Sequence, residues 1–69
     1  MTSLRNRLLD AHARDDRAAL VALYTEAADV SDTVDAACFY LTHAYIFALE
    51  KGDPASEALY QRLKAQGRV

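Results

Sequence analysis

Residues 34–49, Val-Asp-Ala-Ala-Cys-Phe-Tyr-Leu-Thr-His-Ala-Tyr-Ile-Phe-Ala-Leu, are the most continuously apolar run of the chain, and they limit what it can fold into. On a helical wheel Ala37, Ala44 and Ala48 fall on one side with Tyr40 and Phe47 beside them, while Val34, Cys38, Leu41 and Tyr45 occupy the other flank. The remaining arc carries Asp35, Thr42, His43 and Glu50, interrupted by Phe39 and Ile46 at a spacing of seven. A helix apolar nearly all round is either central to a core or covered by something else. A membrane span needs about 20 predominantly apolar residues. This run is shorter, broken by Thr42-His43 and followed by Glu50-Lys51, so the chain is expected not to be transmembrane.

The segments on either side read as helices too. Thr2 or Ser3 can cap a first helix whose apolar stripe is Leu4, Leu8, Leu9, Ala11 and His12. The pattern breaks at Arg14-Asp15-Asp16, where either aspartate can accept hydrogen bonds from the first amides of a second helix, Arg17 to Ala28. That helix repeats apolar residues at Leu20, Leu23, Tyr24 and Ala27. Val30-Ser31-Asp32 is the next break, with Ser31 and Asp32 as capping residues for the central helix and Val30 as a hydrophobic staple. Gly52 is the left-handed residue that ends the central helix. Asp53-Pro54 then restarts a fourth, with Asp as cap and Pro in the first helical position. Ala55, Ala58, Leu59 and Leu63 line its inner face beside Tyr60, Gly67 stops it, and Arg68-Val69 is expected to fray.

Four helices joined by links this short must fold back on one another as antiparallel neighbours. The expected fold is therefore all-α: a single domain over residues 1–69 with four short antiparallel helices in two hairpins, the third helix central. Composition agrees, since 69 residues with two Gly, one Pro and no Trp leave little material for turn-rich β structure. A chain this short buries only about 60% of the surface its unfolded form exposes. The lone Cys38 cannot form an internal disulfide, and the N-terminus alternates Leu with Arg and Asp rather than forming an apolar leader, so a reducing, cytoplasmic location is expected. A net charge of -2 gives no overall pull toward nucleic acid or anionic membrane. The charges read as solvated helix faces, with acids near helix starts and bases near helix ends.

An internal repeat runs through this pattern. Ala22-Leu23-Tyr24 recurs as Ala58-Leu59-Tyr60, and Ala19 recurs as Ala55, so helices one and two correspond to three and four. In the second hairpin Tyr40, His43, Ala44 and Phe47, followed by Ser56, Tyr60 and Leu63, occupy the large, apolar, small and aromatic positions of a tetratricopeptide repeat, which this hairpin resembles. His43 and Leu63 depart from the family's pattern. In the first hairpin Leu4, Arg7, Leu8 and Ala11 match poorly, although Tyr24 and Ala27 fit. The resemblance covers about half of the chain. It implies a helical-hairpin scaffold that binds peptides or other proteins.

No constellation of residues names a reaction. Cys38 and His43 are five apart and point to different sides of a helix, so they do not form a dyad, and Cys38 reads as a small buried hydrophobe. His12 with Asp15 and Asp16 offers at most two ligands, and a zinc site generally needs four. No Gly-rich phosphate loop, Glu-x-x-His pair or nucleophile elbow is present. Neither enzymatic activity nor a cofactor is expected. Tyr24, Tyr40, Tyr45 and Tyr60 would need a positive groove to stack single-stranded nucleic acid, and their neighbours are apolar or acidic. The expected role is a small adaptor that binds a protein partner, or itself, through the third helix. The strip would consist of Phe39 and Ile46 with Tyr45 at its edge, rimmed by Asp35, Thr42, His43 and Glu50, where His43 neighbours Glu50. The alternative is an accessory subunit that stabilises a larger complex, its strip permanently covered.

Overall fold

The computed structural model describes residues 3–69, in which short breaks separate four helices: α1 (Leu4–Ala13), α2 (Arg17–Asp29), α3 (Val34–Lys51) and α4 (Ala55–Ala65). Thr2 lies outside the described residues. The hydroxyl of Ser3 caps α1 by accepting from the Asn6 amide at 3.1 Å. At the α1–α2 break the two aspartates divide the work. Asp15 turns left-handed at φ 52, which lets the Asp16 amide bond back to the Ala11 carbonyl at 3.0 Å, and the Asp16 carboxylate caps α2 through the Ala19 amide at 3.1 Å.

Two expectations at the α2–α3 break are corrected. The cap of α3 is Thr33, whose hydroxyl accepts from the Ala36 amide at 3.1 Å; Ser31 instead donates to the Ala27 carbonyl at 2.7 Å and so finishes α2. Val30 is 66% exposed and staples nothing, because it lies three residues before the cap. Gly52 ends α3 at φ 72, and the Asp53 amide reaches back to the Ala48 carbonyl at 2.8 Å. The Asp53 carboxylate accepts from the Ala55 amide at 2.9 Å, and Pro54, with helical angles, stands at the cap position rather than in the first turn, so α4 starts at Ala55, one residue later than the sequence implies.

Each helix backbone is adjacent only to its neighbours in the chain: α1 to α2, α2 to α3 and α3 to α4. The result is close to a single layer, with extents of 33 × 29 × 13 Å. Ion pairs show that α1 and α2, and α2 and α3, run antiparallel. Arg7, early in α1, meets Glu26, late in α2, at 2.9 Å, and Arg17 at the start of α2 lies 3.4 Å from Glu50 at the end of α3. The α3 helix is the centre of the layer. Cys38, Leu41, Ala44 and Ala48 form its inner side and join Val21 and Ala28 of α2 and Leu59 and Leu63 of α4 in one core cluster. Ala44 and Ala48 are fully buried, and their small side chains let the flanking helices come close.

A one-layer arrangement also explains where the apolar stripes overshoot. An outer helix with one neighbour can bury only a narrow stripe, so α1 buries Ala11 completely, Leu4 and Leu8 in part, and leaves Leu9 in solvent. On α4, Leu59 and Leu63 are buried while Ala58 faces out. The charge pattern follows the helix dipoles in α3 (Asp35, Lys51) and α4 (Glu57; Arg62 and Lys64), but α1 and α2 have no acid in their first turns. Among the described residues no helix is long and apolar enough to cross a membrane.

Candidate functional site

The outward face of α3 carries the strip. Phe39 is 58% exposed, Ile46 48% and Leu49 53%, on a helix whose opposite side is sealed. Among the described residues no helix of the layer packs over this face. Leu49 was not among the residues singled out by sequence; its place one turn from Ile46 on the same arc was the available signal. Thr42 lies between Phe39 and Ile46, and its hydroxyl donates to the Cys38 carbonyl at 2.8 Å, so its polar group is satisfied within the helix.

Each end of the strip is closed by a carboxylate paired with an arginine from elsewhere. At the amino end Asp35 accepts from Arg68, and this hydrogen bond raises the arginine's pKa above its ordinary value. At the carboxyl end Glu50 faces Arg17. The Arg68 contact corrects the expectation of a frayed tail. The Arg68 amide also bonds to the Leu63 carbonyl at 3.0 Å, past Gly67 at φ 71, which turns the last residues back toward α3. Asp35, Cys38, Phe39, Thr42, His43 and Arg68 line a shallow groove beside the strip.

Aromatic rings flank the strip on both sides. Toward α2, the imidazole of His43 lies 4.5 Å from the Phe39 ring and 5.1 Å from the Tyr24 ring, and Tyr24 continues to Tyr40 at 6.2 Å and Phe47 at 5.9 Å. Toward α4, Tyr45 meets Tyr60 at 6.0 Å. The repeated Ala-Leu-Tyr triplet thus delivers one tyrosine, Tyr24 or Tyr60, to each side of the central helix. Stacked and edge-on rings add attraction beyond their buried area. Burial within this group, with Tyr40 as the smaller contributor, pushes the Tyr24 phenol above 10.0.

His43 is half-buried at the edge of the strip, an interfacial histidine on the same arc as Glu50. Its Nδ1 donates to the Phe39 carbonyl at 2.9 Å, which places a proton on that nitrogen, and Glu50 is taken by Arg17. The other residues considered for chemistry are also engaged. His12 Nε2 shares a 2.9 Å hydrogen bond with the Tyr24 hydroxyl, Asp15 pairs with Arg17 at 3.3 Å, Asp16 is a cap, and Cys38 is buried. Five of the six arginines are likewise occupied, Arg14 by Asp10 and Asp16, Arg62 by Asp29, with Arg7, Arg17 and Arg68 paired as above, while Arg5 is exposed on α1. Paired in this way they do not line the tyrosines with free positive charge.

The arrangement is thus an apolar strip of three side chains, bordered by half-buried rings and closed at both ends by ion pairs. Comparison with protein families, curated proteins and solved structures returns no match to this chain.

Proposed function

We propose that this chain is a small non-enzymatic adaptor that binds a protein partner through the α3 strip of Phe39, Ile46 and Leu49, with Tyr45 and His43 at its edges and Asp35, Thr42 and Glu50 on its rim. The observation that carries this reading is the exposure of three large apolar side chains on the central helix of a one-layer fold. Together they leave on the order of 300 Å² of apolar surface in water, the size of patch that on monomers commonly marks an interaction site. Covering it is worth roughly 7 kcal/mol at 25 cal/mol per Å², against an association cost of about 4–15 kcal/mol. The strip alone supports only weak binding, so the flanking rings belong to the surface as well.

The resemblance of the second hairpin to a tetratricopeptide repeat points the same way. A reducing, cytoplasmic setting fits the single buried thiol.

The test is a pull-down from the native source with the intact chain and with Phe39→Lys and Ile46→Lys, circular dichroism being recorded on all three. Binding lost at unchanged helicity is the expected result. Retention of every captured protein by both variants rejects the strip as the binding face.

A further inference from the structure

We propose that the last three residues, Gly67–Val69, form a strap over the amino half of α3, closed in this structure, whose release joins two grooves into one and uncovers Cys38. The strap belongs to the fold and stands whether or not the α3 strip is the binding face; where it is, the strap governs how far that strip extends. Its root is built into the end of α4. The Gly67 amide bonds to the Lys64 carbonyl at 2.9 Å and the Arg68 amide to the Leu63 carbonyl at 3.0 Å, with Gly67 left-handed at φ 71, the pairing that reverses a chain as it leaves a helix. The reversal carries the Arg68 side chain back to α3, where its guanidinium donates to the Asp35 carboxylate, three residues before Cys38.

Arg68 reaches α3 where the two grooves meet. One lies between the amino half of α3 and the end of α4, floored by Val34, Ala37 and Leu41 with Arg62 and Ala65 opposite; the other runs beside Phe39, Thr42 and His43. Cys38 is the one residue that lines both, and it is only 4% exposed. The hydrogen bond to Asp35 first, and then the Cys38 sulfur, favour the charged guanidinium, which sets the arginine against the thiol as well as the carboxylate. The tip is held weakly. Asp35 is 86% exposed and Arg68 43%, and ion pairs so open to water contribute little and are screened by salt. Val69, 58% exposed, adds little burial. A firm root and a weak tip let the strap open without disturbing α3 or α4. With it open, the apolar floor of the first groove becomes continuous with Phe39, so the strip grows toward Val34 and Ala37.

Cys38 is the only cysteine, so its rate of labelling by N-ethylmaleimide, an uncharged thiol reagent, reads the strap directly. Two variants of the full chain open it by different routes. Arg68→Ala removes the tip, and Gly67→Val keeps the arginine but denies the left-handed turn at the root. Both should label several-fold faster than the intact chain with circular dichroism unchanged. Raising salt to about 1 M should speed the intact chain but not Arg68→Ala. Removing a cation beside a thiol disfavours the thiolate, so loss of charge alone would slow Arg68→Ala, and only uncovering speeds it. Low urea should leave the rate flat, because opening a strap exposes little surface. Arg68→Ala labelling no faster than the intact chain overturns the strap, and so does a rate that follows urea with the full slope of unfolding from the start. The adaptor reading fails separately, when Phe39→Lys and Ile46→Lys still capture whatever the intact chain captures.

Discussion

The imidazole of His43 on α3 stacks on the ring of Tyr24 on α2 at 5.1 Å between centroids and 26° between planes, while the Tyr24 hydroxyl bonds to His12 of α1. Through this one tyrosine three helices are tied together at the edge of the exposed strip. Tyr24 therefore joins the packing of the layer to the surface the layer presents.

That position sets an alkaline limit. Burial raises the Tyr24 pKa above 10.0, so the fold prefers the neutral phenol. A group whose folded pKa is raised contributes stability fully present below its unfolded value and lost as pH rises through the folded one. The contribution of Tyr24 should be complete below pH 10.0 and disappear above it. Spectrophotometric titration should show a phenol step displaced above pH 10.0, and Tyr24→Phe should remove that step. A titration unchanged by the substitution would contradict the assignment.

Exposure and burial on α3 should separate cleanly under mutation. Phe39→Lys and Ile46→Lys place the new cations four residues from Asp35 and Glu50, where helix ion pairs are favourable, so stability should change by no more than about 0.5 kcal/mol. Leu41→Ala, at 3% exposure on the same helix, should cost about 2–5 kcal/mol, a large part of what a domain of this size has. Urea denaturation followed by circular dichroism measures both. A collapse of the lysine variants would place Phe39 and Ile46 in the core.

The two aspartates between α1 and α2 have different duties, and substitution should distinguish them. Asp16→Ala removes the cap on the Ala19 amide and should cost about 1 kcal/mol. Asp15→Asn keeps a residue that tolerates the left-handed turn and breaks only an exposed ion pair with Arg17, so it should cost less than about 0.5 kcal/mol. Equal losses in thermal melts would reject the division.

Gly52 tests the turn into α4. Nothing lies within 4 Å of a Cβ added there, so Gly52→Ala meets no clash, and its cost is that of a left-handed backbone, about 1–2 kcal/mol. Each kcal/mol corresponds to a fall of roughly 4–8 °C in the melting temperature of a domain this small. Gly52→Asn should recover part of the loss, since asparagine tolerates the left-handed region. A melting temperature indifferent to both would mean the turn is not constrained at Gly52.

The helices, their order and the central place of the third are legible in the sequence because they follow from local chemistry. Apolar residues recur at three and four, Asp16 and Asp53 cap, and Gly52 has no side chain to oppose a left-handed turn. The nearly all-round apolarity of residues 34–49 also marks Phe39 and Ile46 as hard to cover. The rest depends on residues brought together from distant parts of the chain. Thr33, rather than Ser31 or Asp32, caps α3, because Ser31 is drawn back to the end of α2. Arg68 returns to Asp35, Arg17 reaches Glu50, and Tyr24 and Tyr60 close on the central helix from opposite sides. A periodic pattern fixes which face of a helix is apolar, but only the packing of helices into one layer decides which apolar face stays open to water.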